Sequence, residues 1–237
     1  MLEARDRIMV ALDCGREEAL ELAQKLNGHA RWVKVGMTLY YACGPEIVAA
    51  MRELGMRVFV DLKLHDIPHQ VRGAAESVAR AGADILTIHA LGGSKMVAAA
   101  REGVEAAAEA RGGERPRLIA VTVLTSMDDA ALAEVGVART PAEEVRALAS
   151  MVKANGADGI VCSPQEAAAM RELLGPEALI VTPGVRPAGA ALGDQSRVAT
   201  PAAAVAAGAS MLVIGRPITE ADDPVAAFEA IVDELEA

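Results

Sequence analysis

The sequence predicts an α/β protein that folds as one domain, a (β/α)8 TIM barrel spanning residues 1–237. Eight short β-rich runs alternate with Ala-rich helical patterns at roughly even spacing, and no break in composition divides the chain. Barrels of about 200 to 250 residues routinely form a single domain, and this chain has 237. The alternative is a doubly wound open sheet, which the lack of a G-x-G-x-x-G fingerprint after the first strand disfavours.

The predicted strands are apolar runs that end in polar or small residues. In chain order they are Ile8–Asp13, Trp32–Gly36, Arg57–Leu64, Asp84–Ala90, Leu118–Thr125, Gly159–Ser163, Leu179–Val185 and Met211–Gly215. Several of the helical patterns between them begin at proline and end before glycine, as helix ends favour. The predicted helices are Arg16–Leu26, Pro45–Leu54, Val71–Ala81, Ser94–Ala110, Pro141–Asn155, Pro164–Leu174, Pro201–Ala207 and Pro224–Leu235.

Composition limits the function. The net charge of −10 disfavours nucleic acid as a partner, because phosphate backbones require clustered Lys and Arg. The cysteines Cys14, Cys43 and Cys162 are odd in number and lack metal-type spacing, which argues against a disulfide framework and a zinc site. The sequence shows neither a signal-peptide apolar segment nor an 18-residue apolar run. We therefore expect a cytoplasmic protein with no membrane partner.

A cluster of ionisable residues lies at the end of the third predicted strand. Asp61 and Lys63 are two residues apart on a strand, so their side chains share a face, and Asp66 lies just beyond. Charges inside an apolar pattern must be paired or functional, although a solvated turn is the alternative. His65, His69 and the two aspartates could instead bind a transition metal. Lys63 argues against that reading, because an ammonium would repel the ion, and we expect no metal.

Polar residues end most of the other strands too, where barrel enzymes place their sites. Lys34 lies between two valines, and a buried lysine is costly unless it is paired. Asp13 is either a site residue or the N-cap of the following helix. His89 is expected to be a satisfied core histidine rather than a ligand. The strand-end set is Asp13, Lys34, Asp61, Lys63, His89, Thr125, Ser163, Arg186 and Arg216.

The last third of the chain carries the pattern of a phosphate site. Barrels often bind phosphate in the loops after strands seven and eight, using backbone N–H groups and a cation. Arg186, Gly215 and Arg216 meet that need. The Gly- and Ala-rich segment at about 186–199 is long enough to act as a mobile lid, with an ordinary surface loop as the alternative.

These residues together resemble a known family. The D-x-K-x-x-D pattern of Asp61, Lys63 and Asp66 resembles the signature of the orotidine 5′-phosphate decarboxylase suite. Five further motifs resemble its bacterial decarboxylase members in the right order, over nearly the whole chain. They begin at Lys34 (KVGM), Val123 (VLTSM), Thr182 (TPGVRP), Gly193 (GDQ) and Ile214 (IGRP).

The resemblance implies decarboxylation of orotidine 5′-monophosphate to UMP, in pyrimidine biosynthesis, with no metal or organic cofactor. It also implies a homodimer with a shared active site. Lys63 would protonate the ring carbon, flanked by Asp61 and by Asp66 from the other subunit, and Lys34 would complete the charge array. The remaining implied contacts are Asp13 and Lys34 at the ribose, Thr125 near the pyrimidine, Ile67 at the substrate, and Arg186, Gln195, Gly215 and Arg216 at the closed loop and phosphate.

Two alternatives stay open at this point. A metal-dependent sugar-phosphate decarboxylase or aldolase of the same suite would keep Asp61 and Asp66, but the resemblance implies a carboxylate ligand where this chain has Lys34. A non-catalytic barrel that binds a phosphorylated ligand would keep Arg216 and have no use for the Asp-Lys-Asp cluster.

Overall fold

The computed structural model describes residues 2–187 and 199–237. Eight parallel strands close into a barrel in which each strand pairs with its neighbours in sequence and β8 pairs with β1. The predicted barrel is confirmed, and the open-sheet alternative is wrong. The strands are β1 Ile8–Ala11, β2 Trp32–Gly36, β3 Arg57–Leu64, β4 Ile85–His89, β5 Arg117–Val121, β6 Gly159–Val161, β7 Leu179–Thr182 and β8 Met211–Ile214.

Helices follow the strands and cover the barrel. The helices of the described residues are α1 Arg16–Leu26, α2 Met37–Cys43, α3 Glu46–Glu53, α4 Pro68–Arg80, α5 Gly93–Arg111, α6 Asp129–Glu134, α7 Pro141–Ala154, α8 Ala167–Leu174, α9 Pro201–Ala206, α10 Arg216–Thr219 and α11 Pro224–Glu236. Local sequence explains their starts. At α7, for example, Thr140 and Glu143 form a reciprocal capping box around Pro141 at the first helical position. In the described part of the chain, no helix has the length and apolar character needed to cross a membrane.

The lower layer of the barrel interior, at the N-terminal ends of the strands, is filled with apolar side chains. Because aromatic residues are scarce, methionine and branched aliphatic residues fill most of this space. The guanidinium of Arg57 lies 4.4 Å from the centroid of the Trp32 ring at the start of β2 and β3. The buried members of the layer are Met9, Trp32, Phe59, Ile85, Ile119, Val181 and Met211. With this layer packed, the barrel interior has room for a ligand toward the C-terminal ends of the strands.

Carboxylates at the N-terminal end of the barrel are held by arginines. Both oxygens of Asp158 accept hydrogen bonds from Arg115, at 2.6 and 2.7 Å, and one also accepts from the Leu118 N–H at 2.7 Å. Burial raises the pKa of Asp158, but these hydrogen bonds outweigh it and hold the pKa below its ordinary value. Asp84 is bound similarly by Arg52 at 2.9 Å and by the Val58 N–H at 2.8 Å. Each of these aspartates joins the start of one strand to its neighbours.

Candidate active site

The C-terminal ends of the strands surround a cavity of about 760 Å³. The sequence-predicted site residues that line it come from the ends of β1, β2, β3, β5, β7 and β8, so the fold brings together groups far apart in sequence. They are Asp13, Lys34, Asp61, Lys63, Thr125, Arg186, Gly215 and Arg216. Apolar side chains from the barrel interior, including Phe59, Val121 and Val161, line the same cavity.

Four charged side chains form an alternating array on one wall of the cavity. Lys34 Nζ lies 2.9 Å from Asp13 Oδ1 and 3.8 Å from Asp61 Oδ2, and Lys63 Nζ lies 2.9 Å from the same Asp61 oxygen. The side chains of Lys34 and Asp61 are only 8% and 13% exposed. Two ammonium groups therefore share one carboxylate oxygen. Lys34 and Asp61 are largely shielded from water, where charges interact more strongly than at the surface, whereas Lys63 is 29% exposed.

A β-bulge between β3 and β4 shapes the Asp61–Lys63 segment. The pairing moves from Val60 opposite Leu86 to Leu64 opposite Ile88, so β3 advances by four residues while β4 advances by two. Within this bulge Lys63 has φ 51°, and among the described residues it is the one non-glycine with positive φ. Such left-handed backbone is costly for a residue with a side chain and persists where the surrounding structure enforces it.

Gly36, at the end of β2, makes room for the Asp13–Lys34 ion pair. A Cβ atom at this position would lie 2.8 Å from Asp13 Oδ1 and 2.9 Å from Lys34 Nζ, closer than real Cβ contacts. Helix α1 has Gly15 as its N-cap, without a side-chain capping bond. The N-cap alternative for Asp13 is therefore wrong, because its carboxylate contacts Lys34 instead.

Asp66 and Ile67 do not line the cavity of their own chain. Both are exposed, with Ile67 at 63%, and Asp66 Oδ1 accepts a hydrogen bond from the Ile67 N–H at 2.6 Å. The structure thus separates these two predicted site residues from the other eight that it describes. Their side chains are available on the surface beside the cavity mouth, just past the end of β3.

His89 lies beside the charge array and has satisfied contacts. Its ring stacks on that of His65 with a centroid separation of 5.3 Å, and its Nδ1 accepts from the Leu91 N–H at 3.4 Å. Burial, followed by repulsion from His65 and Lys63, lowers the pKa of His89 from 6.5 to about 4. The ring is only partly buried, so the prediction of a core histidine is wrong about its position, although its Nδ1 has a hydrogen-bond partner as expected. Among the described residues, no three His, Cys, Asp or Glu side chains come together in a way that could hold a metal ion.

Arg186, Gly215 and Arg216 line the same cavity at the ends of β7 and β8, and β8 is the strand that pairs with β1. The Arg186 N–H donates to the Ala199 carbonyl at 3.0 Å, and a parallel bridge pairs Val185 with Ala199. These contacts hold together the two ends of the segment predicted as a lid. Most of that segment, including Gln195, lies outside the described residues, so both predictions stay predictions.

The sequence-based prediction did not include one polar residue of this region. Thr87, in β4, donates a hydrogen bond to Asp61 Oδ1 and accepts one from the Lys63 N–H. Its only sequence signal is a hydroxyl in the otherwise apolar run from Ile85 to Ile88, two residues before His89. Strand propensity favours threonine in any case, so that signal is weak.

Comparison with known proteins decides the family. The family model described as "Orotidine 5'-phosphate decarboxylase / HUMPS family" matches residues 6–231. The chain belongs to this family. Similar curated proteins include the orotidine 5′-phosphate decarboxylases of Cutibacterium acnes, 50% identical over 98% of this chain and 97% of that protein, and of Moorella thermoacetica, 51% identical over 99% and 94%.

Solved structures agree with the family assignment. The crystal structure of orotidine 5′-phosphate decarboxylase from Lactobacillus acidophilus is 42% identical, with a TM-score of 0.87 over 98% of this chain and all of that one. The enzyme from Pyrococcus horikoshii is 26% identical, with a TM-score of 0.78 over 97% of this chain and 99% of that chain. The barrel is thus maintained across the family at low sequence identity.

Proposed function

We propose that this chain decarboxylates orotidine 5′-monophosphate to UMP, with the Asp13–Lys34–Asp61–Lys63 array as its reacting centre. The observation that carries the proposal is Lys63 Nζ at 2.9 Å from an Asp61 oxygen, in a cavity that Arg186 and Arg216 also line. The curated relatives with about half their residues identical carry the same activity in their names.

The array meets the main demand of the reaction. When CO2 leaves a ring carbon, the carbon–carbon bond breaks, its electron pair stays on the ring, and no electron sink accepts it. The Lys63 ammonium stabilises this developing anion and transfers a proton to the ring carbon, leaving a neutral amine that water reprotonates. A substrate carboxylate about 4 Å from Asp61 would be repelled by roughly 4 kcal/mol at an effective dielectric of 20, a repulsion that disappears as CO2 departs.

The rest of the cavity would hold the nucleotide. Asp13 and Lys34 can bind the ribose hydroxyl groups, and Thr125 lies near the place of the pyrimidine. Arg186, Arg216 and the backbone at Gly215 would bind the phosphate, with Gln195 and the 186–199 segment closing over it as the lid of a single-domain enzyme. Binding energy from the phosphate can then stabilise the closed, reactive state.

The proposal includes a homodimer with a shared site. Its support is the exposure of Asp66 and Ile67 outside their own cavity, together with exposed apolar side chains in the segments that follow β2 to β5, at the same end of the barrel as the cavity. These side chains are Met37, Tyr41, Ile67, Leu91 and Leu124. Mixing inactive Asp66→Ala with inactive Lys63→Ala protein should restore activity through mixed dimers. Absence of recovery despite proven subunit exchange would contradict a shared site.

A cytoplasmic location is also proposed, supported by three free cysteines, Cys14, Cys43 and Cys162. A chelator experiment tests the activity itself. UMP formation from orotidine 5′-monophosphate should proceed equally with and without EDTA. Sugar-phosphate turnover that EDTA abolishes would instead identify the metal-dependent branch of the family, which Lys34 disfavours. Nucleotide binding without UMP formation would identify a binding protein and overturn the proposal.

A further inference from the structure

Thr87 joins the two reacting residues of the charge array. Its side chain is fully buried in β4. The hydroxyl donates to Asp61 Oδ1 at 3.0 Å and accepts from the Lys63 N–H at 2.8 Å. Its strand neighbours Leu86 and Ile88 point into the apolar layer between barrel and helices. One hydroxyl, outside the cavity lining, therefore links the Asp61 carboxylate to the Lys63 backbone.

These two bonds fix different degrees of freedom. A hydroxyl has one proton to donate and two acceptor positions, so Thr87 can serve both partners at once. The bond to Oδ1 sets the rotation of the Asp61 carboxylate and turns Oδ2 toward Lys63 Nζ and Lys34 Nζ. The bond from Lys63 satisfies a backbone N–H that the bulge removes from the regular ladder, at a residue with φ 51°.

We propose that Thr87 is a positioning residue for the decarboxylation. It does not line the cavity, so it would not touch the substrate. It would act by holding the Asp61 carboxylate and the start of the Lys63 side chain in the arrangement that the reaction needs. This inference rests on the proposed function, because it assigns Thr87 a role through Asp61 and Lys63.

The test compares Thr87→Val with Thr87→Ser. Valine keeps the shape of threonine and removes the hydroxyl, whereas serine keeps the hydroxyl. Misplacement of reacting groups by about 1 Å can cost about 100-fold in rate, so we expect kcat to fall about 10- to 100-fold in Thr87→Val. KM should change little, because the phosphate and ribose contacts are intact. Thr87→Ser should restore kcat to within a few-fold of wild type.

Thr122→Val is the matched control. Thr122 is also fully buried near a strand end, and its hydroxyl donates to the Val161 carbonyl at 3.0 Å rather than to a charged side chain. This variant should lose a similar part of its thermal stability while its kcat stays at the wild-type value. Circular dichroism and thermal melts would verify that each variant is folded. If Thr87→Val does not fold, Thr87→Ala replaces it, and kcat must again rise from the alanine to the serine variant.

Every outcome of this experiment either supports or overturns the positioning role of Thr87. A kcat loss in Thr87→Val with unchanged KM, reversed by serine and absent in Thr122→Val, supports the inference. Equal kcat in wild type and Thr87→Val, equal losses in Thr87→Val and Thr122→Val, or a rise in KM alone would overturn it. A wild-type protein that forms no UMP would overturn the proposed function instead, so the two failures are distinguishable.

Discussion

The two ends of the barrel hold aspartates against cations in opposite ways. At the N-terminal end, Asp158 binds Arg115 through both oxygens and also accepts a backbone N–H. At the C-terminal end, Asp61 presents one oxygen to two lysines. Arginine stays charged and binds carboxylates with a fixed fork, whereas lysine is a point charge that can release a proton. The N-terminal geometry therefore suits stability, and the C-terminal geometry suits the proton transfer of the proposed mechanism.

Removing Lys63 should have the largest effect. In the proposed mechanism, Lys63→Ala loses both the proton donor and the charge that stabilises the ring anion, and each contributes about 100-fold or more. We expect kcat to fall by at least about four orders of magnitude, with the protein still folded, as measured by UMP formation and circular dichroism. Arg115→Ala is the control at the other end, expected to lose stability and keep its kcat. A Lys63→Ala variant with a tenth of wild-type turnover would refute the mechanism.

Substitution of Arg216 tests whether the proposed phosphate contacts contribute to the rate. Arg216→Ala should cost on the order of 2 to 5 kcal/mol in kcat/KM, the range for breaking a hydrogen-bonded charge pair. On the nucleoside orotidine, which has no phosphate, the same substitution should cost little. Measuring kcat/KM of wild type and Arg216→Ala on both substrates gives the four values needed for this comparison. Equal losses on the two substrates would mean that Arg216 supports the fold or the base site.

Asp158→Asn should weaken the other end of the barrel. The amide loses the ionic bonds to Arg115, and hydrogen bonds to charged groups contribute about 1.5 to 3 kcal/mol each, less where water screens them. Partial exposure of Arg115 puts the expected loss in the free energy of unfolding at about 1 to 3 kcal/mol. Urea titration at pH 7 would measure it. A fall in the kcat of the folded variant would contradict the separation of the two ends.

Acid should affect the two ends in different pH ranges. His89 has a folded pKa of about 4 against an ordinary 6.5, so between these values the unfolded chain binds the extra proton and stability falls as pH falls. The pKa of Asp158 is below its ordinary 3.8, so its contribution is complete above that value and is lost as pH falls below it. We would measure the free energy of unfolding from pH 7 to 3. Between pH 6.5 and 4 it should depend less on pH in His89→Gln than in wild type. In Asp158→Asn the reduced dependence should appear only below pH 4. The reverse pattern would contradict both assignments.

Much of the barrel could be predicted from the sequence. The bounds of β2 and β3 match their predictions, because apolar patterning is clear there. The other six strands all end earlier than predicted: β5, for example, stops at Val121 rather than Thr125, because hydrogen bonding ends before the apolar pattern does. The short helices α2, α6 and α10 were not predicted, since a few residues carry too little periodicity.

The residues of the charge array were recognisable in the sequence, but their geometry was not. Strand alternation places Asp61 beside Lys63, and the two do form an ion pair. The bulge, the left-handed backbone of Lys63 and the hydrogen bonds of Thr87 arise from the pairing of β3 with β4, which no local pattern encodes. The choice between an N-cap and a lysine contact for Asp13 likewise required the position of Lys34 in three dimensions.

The packing of Trp32 under Arg57 gives the molecule a built-in optical reporter. Trp32 is the one tryptophan in the chain, it is buried in the lower layer, and it does not line the cavity. Its indole emission therefore follows the opening of the N-terminal end of the barrel during unfolding, undiluted by any second indole. The absorbance of the pyrimidine follows the chemistry at the other end, so two wavelengths can separate loss of structure from loss of catalysis in one sample.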